Sequence, residues 1–228
     1  MSPQISRFVY RSLRKRPLPL KKLVLTPQRL LFTKSLTYWF QAPPVKMEPP
    51  LVWIDCEMTG LDHKNDQIIE ICCLLTDDNL QVIDPKGYEA VIHCPKEKLD
   101  AMSAWCVEHH GQSGLTQKCI ESTKTMTEVE EELLAYIKRF VPRKGAGVLA
   151  GNSVHQDRVF LAKDMPKIDE HLHYRILDVS SIKEAMKRHN PKMSRKVPRK
   201  VSAHTARSDI EESIAELQWY YTNYFRKS

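Results

Sequence analysis

Asp55 and Glu57 stand two residues apart in the run "WIDCEMTG", residues 53 to 60, with no Lys or Arg between or beside them. Alternate side chains of an extended strand share a face, so both carboxylates point the same way. Two anions side by side repel. The pair is stable when a divalent cation sits between them, when one is held protonated, or when water solvates an exposed edge. D-x-E alone leaves all three open, and two further stretches narrow the choice towards metal binding. Asp157 in "GNSVHQDRVFL" follows a strand end and falls in the first turn of a helix, where an acid also serves the helix dipole. In "HTARSDIEES", His204 lies in a loop and Asp209 in the first turns of the last helix, with four residues between them. A single histidine in a basic loop is ordinarily surface. The ordered set D-x-E, D, H-x-x-x-x-D is far more specific than any one of its parts.

These residues need elements that carry them to one place. "LVWID", "QIIEICCLLTD" and "YEAVIHC" are short β-branched and apolar runs parted by turn-like "DHKND" and "DNLQVIDPKG", so they read as three strands in a meander. "TMTEVEEELLAYIKRFV" has Val129, Leu133, Ile137 and Phe140 at helical spacing and acids early, which predicts a helix. "VLAGNS" predicts a fourth strand, running into a helix over "VHQDRVFLAKDM" with Asn152 or Ser153 as its N-cap. "YRILDVSS" predicts a fifth strand, followed by helical "SIKEAMKRH", a loop through 204 and a last helix from about Thr205 to Tyr221. The order βββαβαβαα implies an α/β architecture, a mixed five-stranded sheet flanked by helices.

Composition sets the outer bounds. The 228 residues, 42% hydrophobic and 28% charged, suffice for one or at most two globular domains. No apolar run approaches the roughly 20 residues of a membrane-spanning helix, so no membrane partner is expected. The net charge of +7 is unevenly placed: residues 1–47 hold ten Lys or Arg and no acid, leaving 25 basic against 28 acidic residues in 48–228. That first segment, Arg-rich, acid-free and supplied with Ser and Thr, has the composition of a mitochondrial presequence; the other reading is a basic tail that binds nucleic acid or a partner. Pro49 and Pro50 close it, so the expected organisation is a presequence over 1–47 and a folded domain over 48–228. The six cysteines form no C-x-x-C pair, which points to reduced structural thiols in a cytosolic or matrix compartment.

"WIDCEMTGLD", "QIIEI", "GNSVHQD", "HYRILDVS" and "HTARSDIEESIAEL" together resemble the motifs of the oligoribonucleases, the short-RNA members of the DEDDh exonucleases, in their eukaryotic, mitochondrion-directed form. The resemblance covers nearly all of 50–222. It implies a ribonuclease-H-like exonuclease fold and a homodimeric 3′-to-5′ exoribonuclease that cuts short RNA oligonucleotides and dinucleotides to 5′-mononucleotides. It implies Asp55, Glu57, Asp157 and Asp209 as ligands of two Mg²⁺ or Mn²⁺ ions, His204 as general base and Tyr174 as a catalytic contact reaching across the dimer. Leu61 matches a residue that wedges against a base, and Trp105 an aromatic at the nucleotide pocket; core packing is the other reading for both. His110, Ser153, Tyr174 and Arg175 match the polar group around the terminal phosphate. The chemistry agrees, because phosphodiester hydrolysis needs an activated water, neutralised phosphoryl charge and a stabilised leaving oxygen, all within reach of a two-metal site.

Two rival functions follow from the same residues: a DEDDh exonuclease acting on longer RNA or DNA 3′ ends, and a catalytically dead nucleic-acid-binding relative. The loop 187–200, with seven Lys or Arg and no acid, is more basic than the resemblance leads one to expect. It either extends phosphate contact beyond a dinucleotide or is a solvated surface.

Overall fold

The computed structural model describes residues 48–198 and 205–225. The expected presequence, His204 and the end of the basic loop lie outside these. Five strands, β1 (Leu51–Met58), β2 (Ile68–Thr76), β3 (Tyr88–Val91), β4 (Val148–Gly151) and β5 (Ile176–Asp178), form one sheet in the order β3-β2-β1-β4-β5. The first three are the antiparallel meander, and β4 and β5 add parallel to β1. Parallel neighbours require crossovers, and helices supply them: α1 (Lys96–Asp100), α2 (Ala104–Gln112), α3 (Leu115–Glu121) and α4 (Met126–Phe140) lie between β3 and β4, and α5 (His155–Asp164) and α6 (Pro166–His171) between β4 and β5. After β5 come α7 (Val179–His189), α8 (Pro191–Ser194) and α9 (Ala206–Asn223).

β1 is central, and its sequence shows why. Val52, Trp53 and Ile54 are consecutive apolar residues, all buried, as expected where helices cover both faces. Val52 and Ile54 pack with Val129, Leu133 and Ile137 of α4 and Phe160 of α5. Trp53, on the opposite face, packs with Ile210, Ile214 and Leu217 of α9 and Val179 and Met186 of α7. Its indole Nε1 donates to Thr76 Oγ1 at 2.9 Å, so burying the ring leaves no donor unsatisfied. Because odd-numbered residues of β1 face α9, Asp55 and Glu57 at the strand's end do too. α4 starts at a reciprocal cap, Thr125 accepting from the Glu128 N–H while the Glu128 carboxylate accepts from Thr125.

Three expectations need correction. α5 begins at His155 with Val154 at its N-cap and no side-chain cap, because Ser153 takes a left-handed conformation (φ 53°) and Asn152 turns its amide towards other helices. The stretch between Pro95 and Ser122, for which the sequence predicts no element, is helical in three short pieces, α6 is a further short helix where none is predicted, and α8 lies inside the expected loop. β5 spans three residues rather than eight, since Asp178 accepts from the Ser180 N–H and starts α7 at once. All six cysteines are unpaired and buried. Among the described residues no helix is long and apolar enough to cross a membrane.

Candidate active site

The sheet order places the carboxylates. Asp55 and Glu57 end β1, and Asp209 sits in the first turn of α9 above that end. One oxygen from each of these three lies within 4.8 Å of the others, among half-buried side chains. Asp157 falls outside this group of three. It enters from the first turn of α5, is buried, and its Oδ1 accepts the Cys56 N–H at 2.9 Å, which fastens it to β1 between the other two acids. The like charges are felt: burial first, then the charges of Glu70, Asp209 and Asp157, push the Glu57 carboxyl up to about 7. Burial likewise pushes Asp157 upward against the Cys56 hydrogen bond. Hard oxygen donors gathered at one place, two of which, Glu57 and Asp157, are held from ionising by burial, fit a divalent cation.

Asp55, Glu57 and Asp157 line a cavity of about 730 Å³ together with Met58, Leu61, Trp105, His110 and Ser153. Leu61 is 74% and Trp105 65% exposed, so neither packs in the core. Both are held by local structure. Trp105 lies flat against His109, ring centroids 4.6 Å apart. Leu61 rides a loop in which Asp66 accepts from Thr59 Oγ1 at 2.8 Å and from the Asp62 N–H at 2.9 Å. That loop demands glycine at 60, where a Cβ would stand 2.4 Å from Asp66 Oδ2.

His110 is buried. Its Nε2 pairs with the Met58 carbonyl at 3.0 Å and therefore carries the proton, while Nδ1 lies 4.0 Å from Glu57 Oε2 without a hydrogen-bond partner. Burial lowers its pKa, favouring the neutral ring. Ser153 gives its N–H to Asp178 Oδ1 at 3.0 Å. Tyr174 and Arg175 are exposed and do not line the cavity; the Tyr174 ring stacks on His173, with the Arg175 guanidinium 5.1 Å from its centroid.

Three polar residues at the site escaped sequence reading. Glu70 pairs directly across from Glu57 in the β1–β2 register. A glutamate inside the apolar "QIIEI" was the available signal, but register cannot be read from sequence. Asp178 and Asn152 belong to a network joining β4, α7 and α9; for Asn152 the signal, an Asn directly after a strand, pointed to a cap instead.

Comparison with known proteins agrees with this geometry. A family model described as exonuclease matches residues 52–217. The mitochondrial oligoribonuclease of Saccharomyces cerevisiae is 56% identical over 201 residues, covering 85% of this chain and 75% of that protein. The mitochondrial oligoribonuclease of Homo sapiens is 49% identical over 181 residues, covering 79% and 76%. Among solved structures, exonuclease I of Methylocaldum szegediense superposes with a TM-score of 0.60 at 14% identity, over 77% of this chain and 41% of that one. Exonuclease I of E. coli in complex with a dA16 oligonucleotide gives 0.59 at 14%, over 78% of this chain and 42% of that one. These two share the fold, and this chain spans under half their length. With the exonuclease model matched over most of its length and relatives identical at about half of the aligned positions, the chain belongs to the exonuclease family, in its oligoribonuclease branch.

Proposed function

We propose that this protein is a 3′-to-5′ exoribonuclease that hydrolyses RNA dinucleotides and other short oligomers to 5′-mononucleotides, using two Mg²⁺ or Mn²⁺ ions, as a homodimer in mitochondria. The observation that carries the reading is the convergence of Asp55, Glu57 and Asp209 within 4.8 Å, with Asp55 and Glu57 lining a cavity walled by exposed Leu61 and Trp105. About 730 Å³ has room for one or two nucleotides.

Asp55, Glu57 and Asp209, with the second oxygen of Asp157, would hold the ions. Bound there, divalent ions neutralise phosphoryl charge, lower the pKa of water and stabilise the leaving 3′ oxygen. The protein's own contribution is positioning. Trp105, already flat against His109, offers a stacking face worth about 1–3 kcal/mol per base, and Leu61 closes on the neighbouring base. The Ser153 hydroxyl at the cavity wall and the Arg175 fork suit the terminal phosphate. His204 is assigned as the base that takes the proton from the attacking water, a role for which an imidazole has a suitable pKa.

Tyr174 and Arg175 lie on an exposed surface away from the cavity, which supports their acting in a second copy of the chain. Mixing Asp209→Asn with Tyr174→Ala tests this. If Tyr174 acts in trans, exchange restores one good site per mixed dimer, roughly a quarter of wild-type sites for random pairing; hydrolysis that never exceeds the mean of the parents rejects action of Tyr174 across a dimer. The relatives named mitochondrial and the acid-free segment 1–47 support import, tested by fusing that segment to a reporter. The principal experiment is labelled RNA of graded length with and without Mg²⁺. Turnover concentrated on dinucleotides and other short chains is the expected result. A preference for long chains favours the rival exonuclease, and no cleavage at any length rejects both.

A further inference from the structure

Of the elements that supply the carboxylates, two are locked together by directional bonds. β1 brings Asp55 and Glu57, and α5 brings Asp157, bonded straight to the β1 backbone at Cys56. α9, which brings Asp209, lies on the sheet through apolar contacts of Ile210, Ile214, Leu217 and Tyr220. Such packing is non-directional and does not by itself set the helix's position along or about its axis. Arg207 ties the start of α9 to the β2–β3 connection at Pro85 and Lys86 and to Glu89 of β3, the Ala206 backbone N–H donates to the Glu70 carboxylate of β2, and Gln218 donates to the Leu80 carbonyl, all on the side away from β4.

On the β4 side Asn152 connects α9 to the strand end, beside a Lys183–Glu216 ion pair that joins α7 to α9. Asn152, directly after β4, accepts from Ser180 Oγ of α7 at 3.0 Å through its Oδ1 and donates from Nδ2 to Ser213 Oγ of α9 at 2.6 Å. Ser213 Oγ donates in turn to the carbonyl of Asp209, also at 2.6 Å. Upstream, Ser153 Oγ donates to Ser180 Oγ at 3.2 Å. The polarity is consistent throughout. Each hydroxyl gives its one proton forward and accepts from behind, and the Asn152 amide is the only member able to accept on one side and donate on the other without rotating. Glu216 is almost fully buried beside it, 3.5 Å from Asn152 Nδ2. Its other oxygen takes the Tyr220 hydroxyl at 2.7 Å and the Lys183 ammonium at 3.2 Å, so the surroundings of the link are also satisfied.

We infer that Asn152 is a positioning residue for the metal site: through Ser213 it sets Asp209 against Asp55 and Glu57, and through Ser180 it ties that setting to the cavity wall at Ser153. The inference rests on the proposed metal-binding reading of the carboxylates. It does not depend on which nucleic acid is cut.

Direct titration of the full chain with Mn²⁺, followed by calorimetry or by loss of the free-ion paramagnetic signal, tests it. Asn152→Ala and Ser213→Ala should each raise the Mn²⁺ dissociation constant about 10-fold or more, the usual effect of removing a group that orients metal ligands. Asn152→Ala combined with Ser213→Ala should be no worse than the weaker-binding single variant, because both cut one link. Ser122→Ala, which removes a hydroxyl bonded to Val91, neither residue lining the cavity, controls for general loss of stability and should bind Mn²⁺ as the wild type does. Ser213→Ala serves as the probe should Asn152→Ala not fold. Wild-type affinity in the Asn152 and Ser213 variants overturns the inference, as do losses that add. Absence of Mn²⁺ binding by the wild type instead overturns the metal site on which it rests.

Discussion

Glu57→Gln should make the metal-free protein more stable at pH 8 while weakening its response to metal. A carboxyl moved from 4.5 to about 7 is disfavoured in its ionised form by about 3 kcal/mol, at roughly 1.36 kcal/mol per pH unit. The side chain keeps 19% of its exposure, and water reaching it lowers the effect, so the expected gain is about 1–3 kcal/mol. For a domain of this size that is a rise in melting temperature of roughly 2–10 °C. The sign follows from proton counting. Between pH 4.5 and about 7 the folded chain holds a proton that the unfolded chain has released, so wild-type stability falls as pH rises through that window and levels off above it. Glutamine has no such proton. The assay is thermal or urea unfolding of both full chains in EDTA at pH 5 and pH 8, repeated with Mn²⁺. The variant should lead at pH 8, the gap should shrink at pH 5, and Mn²⁺ should raise the wild type by much more than the variant. A variant less stable than wild type in EDTA at pH 8, with a gap indifferent to pH, would refute the claim that the Glu57 carboxylate is held in the fold against the cost of its burial and of its like-charged neighbours.

Trp105→Ala removes an exposed stacking face and should raise KM for a dinucleotide about 5- to 150-fold, with melting temperature nearly unchanged; kinetics and an unfolding scan on the same sample check both halves. Asp157→Asn keeps a carbonyl oxygen for the Cys56 N–H and should fold normally while Mn²⁺ affinity measured by calorimetry drops more than about 10-fold; Asp157→Ala should in addition lose roughly 1–3 kcal/mol of unfolding free energy for the stranded N–H. Gly60→Ala forces the Asp66 carboxylate aside and should cost about 1–3 kcal/mol in urea unfolding while raising KM, since the loop that carries Leu61 is built on Asp66.

What the sequence disclosed follows from the range of the physics involved. The meander, α4 and α9 were legible because each has a strong period: continuous apolar runs in β1 and β2, and Val129, Leu133 and Ile137 or Ile210, Ile214 and Leu217 on one face of a helix. α1 to α3 carry only one or two buried residues each, too few to show a period. The four carboxylates could be named from type and spacing together with the resemblance. Their division into a close group of three and a fourth held by the β1 backbone could not, since it depends on a hydrogen bond between residues 101 apart. Asn152 misled for the same reason: local preference made it a cap, and tertiary partners on α7 and α9 outbid the helix beginning beside it.

β1 runs for eight residues and its parallel neighbour β4 for four, paired only as far as Trp53 with Ala150. Beyond that point one side of β1 has lost its neighbour while β2 still supports the other, leaving a shelf with backbone groups facing open space. A bare shelf in a protein interior invites either water or another strand. Here the Asp157 carboxylate fills the place of the missing strand at Cys56, answering a backbone N–H with one oxygen and leaving the second to face the cavity. The recess is therefore a matter of strand arithmetic. Two or three more residues of β4 would complete the sheet edge, displace Asp157 and close the recess, so this is a place where chain length is under as tight a constraint as chemical type.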